Sequence, residues 1–183
     1  MDDLIDDYKK ALKDHPVRTK SVTAGVIGSL GEILCQLLKF LKDRDGDGAM
    51  EIGVRIRRIV AFFVFGAGVN GPFFHWWYNK LEEWTSTIQN KRLKVLLQLF
   101  LDRGILTPPF LFFTLFTLQV LISGSFQVSG LQALTSFRPA LRANYLLWIP
   151  AQIVSFSLVP VQFRVLFGNL VALLWNIKLA SVS

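Results

Sequence analysis

Three groups of polar residues stand in otherwise apolar sequence, and they are the residues placed to do chemistry. Gly25, Gly28, Glu32, Gln36 and Lys39 recur every three or four positions between Ser21 and Leu41, so a helix puts them in one stripe. Gln98 and Asp102 lie one helical turn apart, with Arg103 beside them, inside the apolar stretch Leu93 to Ile122. Trp148, Gln152 and Ser155 share a helix face, and Arg164 follows in Val159-Pro160-Val161-Gln162-Phe163-Arg164. A charge at the centre of a membrane helix costs roughly 2.5–3.5 kcal/mol even on the gentlest scale, so such residues must face protein or water. Two chemistries then stand open. The stripes could converge on a hydrated interior that passes polar solutes. Alternatively they are interhelical glue, a Glu32–arginine or Asp102–arginine pair that locks the bundle. The two are compatible, because paired charges can line a narrow pore.

Other chemistries find no support. With 2 His and 1 Cys in the chain, a zinc site would lack its ligands. No Ser-His-Asp order, glycine-rich phosphate loop or Gly-x-Ser-x-Gly elbow occurs. The sequence therefore predicts neither an enzyme, nor a cofactor, nor a bound metal. Asp43-Arg44-Asp45-Gly46-Asp47-Gly48 matches the first half of a calcium-binding loop, and Glu51 falls at its ninth position. Val54 occupies the twelfth, where a bidentate Glu should sit, so the segment reads as a solvated turn. Cys35, among Leu and Ile, reads as an inert buried thiol.

The elements that must position these residues are membrane helices. The 183-residue chain is 52% hydrophobic and only 18% charged, where soluble domains run near a quarter charged. That balance excludes a disordered chain, and a lone Cys excludes a disulfide scaffold. A net charge of +7 would suit nucleic acid, but the basic residues cluster between apolar spans and no recognised binding motif appears. Basic loops of this kind fit a lipid surface better. Spans of roughly 20 apolar residues are expected at Ser21–Leu41, Ile59–Tyr78 and Leu93–Ile122, the last interrupted by Pro108-Pro109. Leu141 to Leu179 holds two helices joined near Pro160, or one span and an interfacial helix. His75, Trp76, Trp77 and Tyr78 read as an interfacial aromatic belt.

Ahead of the spans, Leu4, Ile5, Tyr8, Ala11 and Leu12 recur at helical spacing in a segment opened by Asp2-Asp3 and closed by lysines. It reads as an amphipathic helix lying at the interface, or equally as a soluble helix capping the bundle, and His15-Pro16 ends it. The fold class expected is all-α: a compact bundle of four to five membrane helices with an N-terminal amphipathic helix. Residues 1–183 form a single membrane domain, with the interfacial helix at 1–18 and a polar loop at 42–57. No signal peptide or arginine-rich transit segment is recognisable. Positive-inside counting leaves the orientation open.

The ordered residues resemble one family along nearly the whole chain. They begin with Tyr8, Leu12, Pro16 and Thr19-Lys20-Ser21, and continue with Gly31-Glu32 and Gln36. Arg55 and Arg58, Gly71-Pro72, His75, Tyr78, then Asp102-Arg103 with Pro108 follow. The C-terminal block is the strongest: Trp148, Pro150, Gln152, Phe156, Val159-Pro160, Phe163-Arg164, Trp175 and Leu179. This pattern is similar to the family of peroxisomal membrane protein 2 and its mitochondrial inner-membrane relatives. The chain departs from it at Glu32, where Asp is common, at Arg103, where many members have Gln, and at Ser155, often Asn. Arg103 and the stretches Phe137–Asn144 and Phe163–Leu170 look like the peroxisomal subgroup.

The resemblance implies an integral protein of the peroxisomal membrane, or alternatively of the mitochondrial inner membrane. It implies a weakly selective channel for small hydrophilic metabolites. A non-conducting membrane scaffold or assembly protein is the competing reading. The candidate pore or buried polar network comprises Glu32, Gln36, Arg58 and Asp102, together with Arg103, Trp148, Gln152 and Arg164. Gly25, Gly28, Gly31, Gly71 and Pro72 are the candidates for close helix packing. The expected partners are the lipid bilayer and small polar solutes, not nucleic acid, and a homo-oligomer stays open.

Overall fold

The computed structural model describes residues 2–42 and 51–182, and among them there is no strand. The calcium-like turn Asp43–Gly48 therefore lies outside the described residues. Helix α1 (Asp2–Asp14) stops at His15, and Pro16 opens α2 (Pro16–Lys42). Proline suits a first helical turn, where its missing N–H would have no partner anyway. The amphipathic helix thus ends at Asp14 rather than at residue 18. It folds back on α2: Leu12 is buried, and the Thr19 hydroxyl donates to the Ala11 carbonyl at 2.9 Å.

Next comes a long rod made of α3 (Ile52–Phe65), a π-helical segment (Gly66–Asn70) and α4 (Gly71–Trp84). A polar loop through residue 57 is not what forms: α3 begins at Ile52 and carries Arg55, Arg57 and Arg58 on its first turns. A second rod joins α5 (Lys91–Leu99), another π segment (Phe100–Leu106) and α6 (Thr107–Ser123). Gly124, at φ 73°, ends it in the left-handed conformation that glycine adopts without strain. Helix α7 (Phe126–Leu158) is longer than its apolar half suggests and carries Pro139 and Pro150 inside it. A short turn at Val159–Phe163 leads into α8 (Arg164–Val182), so the last region is two helices joined beside Pro160.

Helix α2 is the hub and packs against α8 and the α3–α4 rod, while α6 lies between α7 and α3. Small residues set the α2 crossing. A Cβ on Gly66 would stand 2.6 Å from the Ala24 carbonyl, and one on Gly71 would strike the Ser21 backbone. Gly25 and Gly28 face Ala67 and Phe62 in the same seam, Gly31 is buried, and Pro72 opens α4. Close backbone approach through small residues is the packing mode of helices in lipid.

Burial runs opposite to that of a soluble domain. The largest fully buried side chains are Leu81, Gln98, Gln152, Thr85, Asp102, Ser129 and Ser155, and only the first is apolar. Meanwhile Val22, Val26, Leu30, Ile33 and Leu37 form an exposed apolar stripe along α2. Soluble proteins bury such residues and expose the polar ones. An apolar exterior around a polar interior is the arrangement a hydrocarbon surround favours. Among the described residues, two helices, Pro16–Leu38 and Lys91–Ser123, are long and apolar enough to cross a membrane.

Candidate functional site

The centre of the bundle is a hydrogen-bonded network on Asp102, which is 0% exposed. Asp102 sits in the π segment before α6, so its carboxylate projects between three rods. Trp77 of α4 donates its indole N–H to Oδ1 at 2.7 Å. Gln152 of α7 donates to Oδ2 at 3.0 Å, and the same amide donates to the Tyr78 hydroxyl at 3.0 Å. Arg103 holds Oδ2 through Nε at 2.7 Å and Nη2 at 2.6 Å. Its Nη1 reaches Asn144 Oδ1 at 3.3 Å, and its guanidinium lies 5.6 Å from the Trp148 ring centre. Tyr145 donates its hydroxyl to the Arg103 carbonyl at 3.0 Å, and Thr107 to the Asp102 carbonyl at 2.8 Å. A buried charge needs this density of partners to be tolerated.

A second cluster lies at the end of α4. Glu82 accepts from Lys94 and, at 3.2 Å, from Gln98, whose amide also donates to the Thr85 hydroxyl at 2.8 Å. Arg164 completes it with Nη1 3.2 Å from Glu82, Nε donating to the Val159 carbonyl at 3.2 Å, and the guanidinium over Phe156. Lys94 and Arg164 together balance the Glu82 carboxylate, which is about one third exposed. The third cluster joins α2 to α3. Arg58 grips Glu32 at 2.6 and 3.3 Å, and Gln36 donates to Glu32 at 2.9 Å and to the Arg55 carbonyl at 3.2 Å. Finally, Lys20 Nζ lies 3.0 Å from His75 Nδ1.

The structure thus brings Asp102, Arg103, Trp148 and Gln152 together, but Glu32, Gln36 and Arg58 form a cluster of their own. No hydrogen bond or ion pair among the described residues links those two groups. Arg164 belongs to the Glu82 cluster. Ser155 is buried on the same face as Gln152, with its hydroxyl unpaired. The aromatic-belt reading is corrected for two of its four residues, Trp77 and Tyr78. Trp76 is exposed, whereas Trp77 and Tyr78 are buried members of the network and His75 pairs with Lys20. Cys35 is partly exposed rather than buried.

Beside the network lies a cavity of 180 Å³ where α4, α6, α7 and α8 meet. Its polar lining is Asn70, Arg103, Thr107, Thr114, Asn144 and Asn169, and its apolar walls include Phe74 and Phe110. The asparagines went unnoticed as site residues in the sequence, although Asn144 and Asn169 stand in the subgroup-like stretches. Amides carry no charge, so they raise no alarm inside an apolar run. Among the described residues, no group of His, Cys, Asp and Glu is placed to hold a metal ion.

Residues 120–180 match the Mpv17 / PMP22 family. Over 176 residues the chain is 33% identical to peroxisomal membrane protein 2 of Bos taurus, covering 96% of this chain and 87% of the relative. It is 31% identical to the mitochondrial inner membrane protein Mpv17 of Bos taurus, covering 92% and 91%. Against protein sym1 of Aspergillus oryzae it is 29% identical, covering 96% and 95%. No solved structure matches. The chain, aligned end to end with relatives at this level of identity, belongs to the Mpv17 / PMP22 family of membrane proteins.

Proposed function

We propose that this protein is a channel that passes small hydrophilic metabolites with weak selectivity. The observation that carries the reading is the partly open cavity beside the Asp102–Arg103 network, whose largely apolar walls carry several polar side chains, between helices whose outer faces are apolar. Four rods would span: α2, α3–α4, α5–α6 and α7, with α8 as a fifth. At about 1.5 Å per residue each is long enough for a hydrocarbon core of roughly 30 Å. Helix α1 would lie at the membrane surface. The peroxisomal membrane is the assigned location, with the mitochondrial inner membrane as the alternative, since relatives carry both names.

In this reading Asp102 and Arg103 flank the path as a neutral pair, which gives little reason to discriminate strongly by charge. Trp148 and Asn144 offer stacking and hydrogen bonds without charge, and Gln152 holds Asp102 behind the lining. Glu32, Gln36, Arg58 and Arg164 lock helices outside the path. The test is reconstitution of pure protein into planar bilayers and solute-loaded proteoliposomes. Conductance and efflux of small solutes are expected, and their absence from folded protein would refute the channel. Asp102→Asn leaves Arg103 unbalanced and should shift ion preference toward anions. Unchanged selectivity would remove Asp102 from the path.

One observation favours the scaffold reading. The buried acids Glu32 and Asp102 each find a basic partner within 2.6 Å, as locking pairs do. Permeability that is unaltered by deleting the protein, with a stable partner retained in mild detergent, would support it instead.

A further inference from the structure

The 180 Å³ cavity exists because one of its walls is short of side chains. Its wall from α4 and α6 is aromatic and fixed: Phe110 stacks on Phe73 at 4.6 Å and meets Phe74 edge-on at 5.0 Å. Arg103, from the second π segment, is held in place by Asp102. Helix α8 instead lines the space with Gly168 and Ala172, four residues apart and so on one face. Trp148 of α7 stands against that face. Asn144, Trp148 and Gln152 recur every four residues, so they share a side of α7. Asn144 accepts from Arg103 at 3.3 Å and Gln152 donates to Asp102 at 3.0 Å, which pins the helix one turn to either side of the indole.

The ring bridges the two sides. The Arg103 guanidinium covers it from 5.6 Å, and its outer edge reaches α8. A Cβ placed on Gly168 would lie 3.7 Å from Trp148 Cζ3 and 3.8 Å from Cη2. That is ordinary van der Waals contact, so a methyl group fits between them and little else does. A longer side chain at 168 must push the indole into the cavity or enter the cavity itself. Trimming the indole must widen the same space, because a close-packed surround fills a void only in part. We infer that Trp148 and Gly168 together set the largest solute that the cavity admits. The inference rests on the channel reading and adds to it the two residues that fix its size limit. For an uncharged solute, that limit comes down to the bore and to the hydrogen bonds along it.

The test is efflux of erythritol, mannitol and sucrose from proteoliposomes of the full chain, read against protein-free liposomes. These probes carry no charge and differ in size, so the Arg103–Asp102 pair stays out of the comparison. Wild-type protein and the exposed control Leu96→Ala should show the same fall in rate along the series. Trp148→Ala should speed sucrose about tenfold while changing erythritol by less than about twofold. Gly168→Ala, Gly168→Val and Gly168→Leu should slow mannitol stepwise, by about tenfold for leucine, and erythritol less. The double variant Trp148→Ala/Gly168→Leu should return toward the wild-type profile, since leucine then takes volume that the indole gave up. Two residues that merely stabilise the fold would show no such recovery. Circular dichroism and melting temperature confirm that each variant is folded, and Gly168→Val carries the test if Gly168→Leu does not fold. The inference is overturned if folded Trp148→Ala or folded Gly168→Val keeps the wild-type size profile, a result that leaves the channel standing. It is also overturned if the double variant is no closer to wild type than the single ones. No efflux of any probe from folded wild-type protein would refute the channel, and the size limit with it.

Discussion

Replacing Asp102 with Ala removes the acceptor of four contacts at 2.6 to 3.0 Å and leaves Arg103, 8% exposed, without its anion. Breaking a buried ion pair from one side costs about 3–5 kcal/mol, mainly because the surviving charge is stranded. The low end applies here, about 3 kcal/mol, since Asn144 and Trp148 still attend Arg103. Arg103→Met should cost a similar ~3 kcal/mol, because Asp102 then relies on Trp77 and Gln152 alone. The double variant strands no charge. It leaves two neutral donors short of an acceptor, at roughly 1–2 kcal/mol each, so it should also cost about 3 kcal/mol. The coupling is then about 3 kcal/mol, the upper range for residues in contact. Reversible unfolding in mixed micelles, followed by helical signal, measures all three. A coupling below about 0.5 kcal/mol, where independent sites fall, would refute the reading of Asp102 and Arg103 as one buried unit.

The other clusters predict smaller and differently signed effects. Glu32→Gln should destabilise by roughly 1–2 kcal/mol, less than Asp102→Ala, because the Arg58 side chain is 30% exposed and water can take over; the same unfolding assay reads it. Gly71→Ala forces a Cβ into the Ser21 backbone and should cost about 1–3 kcal/mol. Gly68→Ala, three residues earlier and facing open space, should be neutral or stabilising by up to ~1 kcal/mol, and equal effects would contradict the packing. Glu82→Gln removes the anion shared by Lys94 and Arg164 and should destabilise by about 1 kcal/mol in the same assay, and a neutral effect would exclude the Lys94–Glu82–Arg164 cluster as a lock.

What the sequence made legible was charge and glycine in apolar surroundings. Glu32 and Asp102 stood out because an acid there demands a partner, and both have an arginine. The seam of Gly25, Gly28 and Gly71 was legible for the same reason, since small residues inside a span have few other uses. Glu82 escaped notice because it sits at a helix end, where acids are ordinary, yet the fold returns α5 and α8 onto it. Trp77 and Tyr78 escaped because an aromatic cluster at a span end suits the membrane interface equally well. Only the rotation of α4 decides that Trp76 faces outward while Trp77 turns to Asp102. Helix α7 was read as too short because its first half is amphipathic rather than apolar.

The π segments explain both why the site was hard to read and why it lies where it does. Each is closed by a bond spanning five residues: Gly71 N–H to the Gly66 carbonyl, and Thr107 N–H to the Asp102 carbonyl. Each also comes just before proline, Pro72 in one rod and Pro108-Pro109 in the other. A proline in a helix lacks the N–H for its bond and crowds the carbonyl four residues back. At Pro72 and Pro108 that residue is glycine, Gly68 and Gly104. The wider turn accommodates the proline without breaking the rod, which is how one helix can continue through Pro108-Pro109. An added residue per turn also shifts the phase of everything beyond it, so a stripe traced at a spacing of 3.6 loses its face there. Asn70 closes one π segment, and Asp102 and Arg103 lie in the other. Single π turns inside α-helices occur often at functional sites. Here the two sit beside one cavity, and each gives its lining one polar residue, Asn70 from the first and Arg103 from the second.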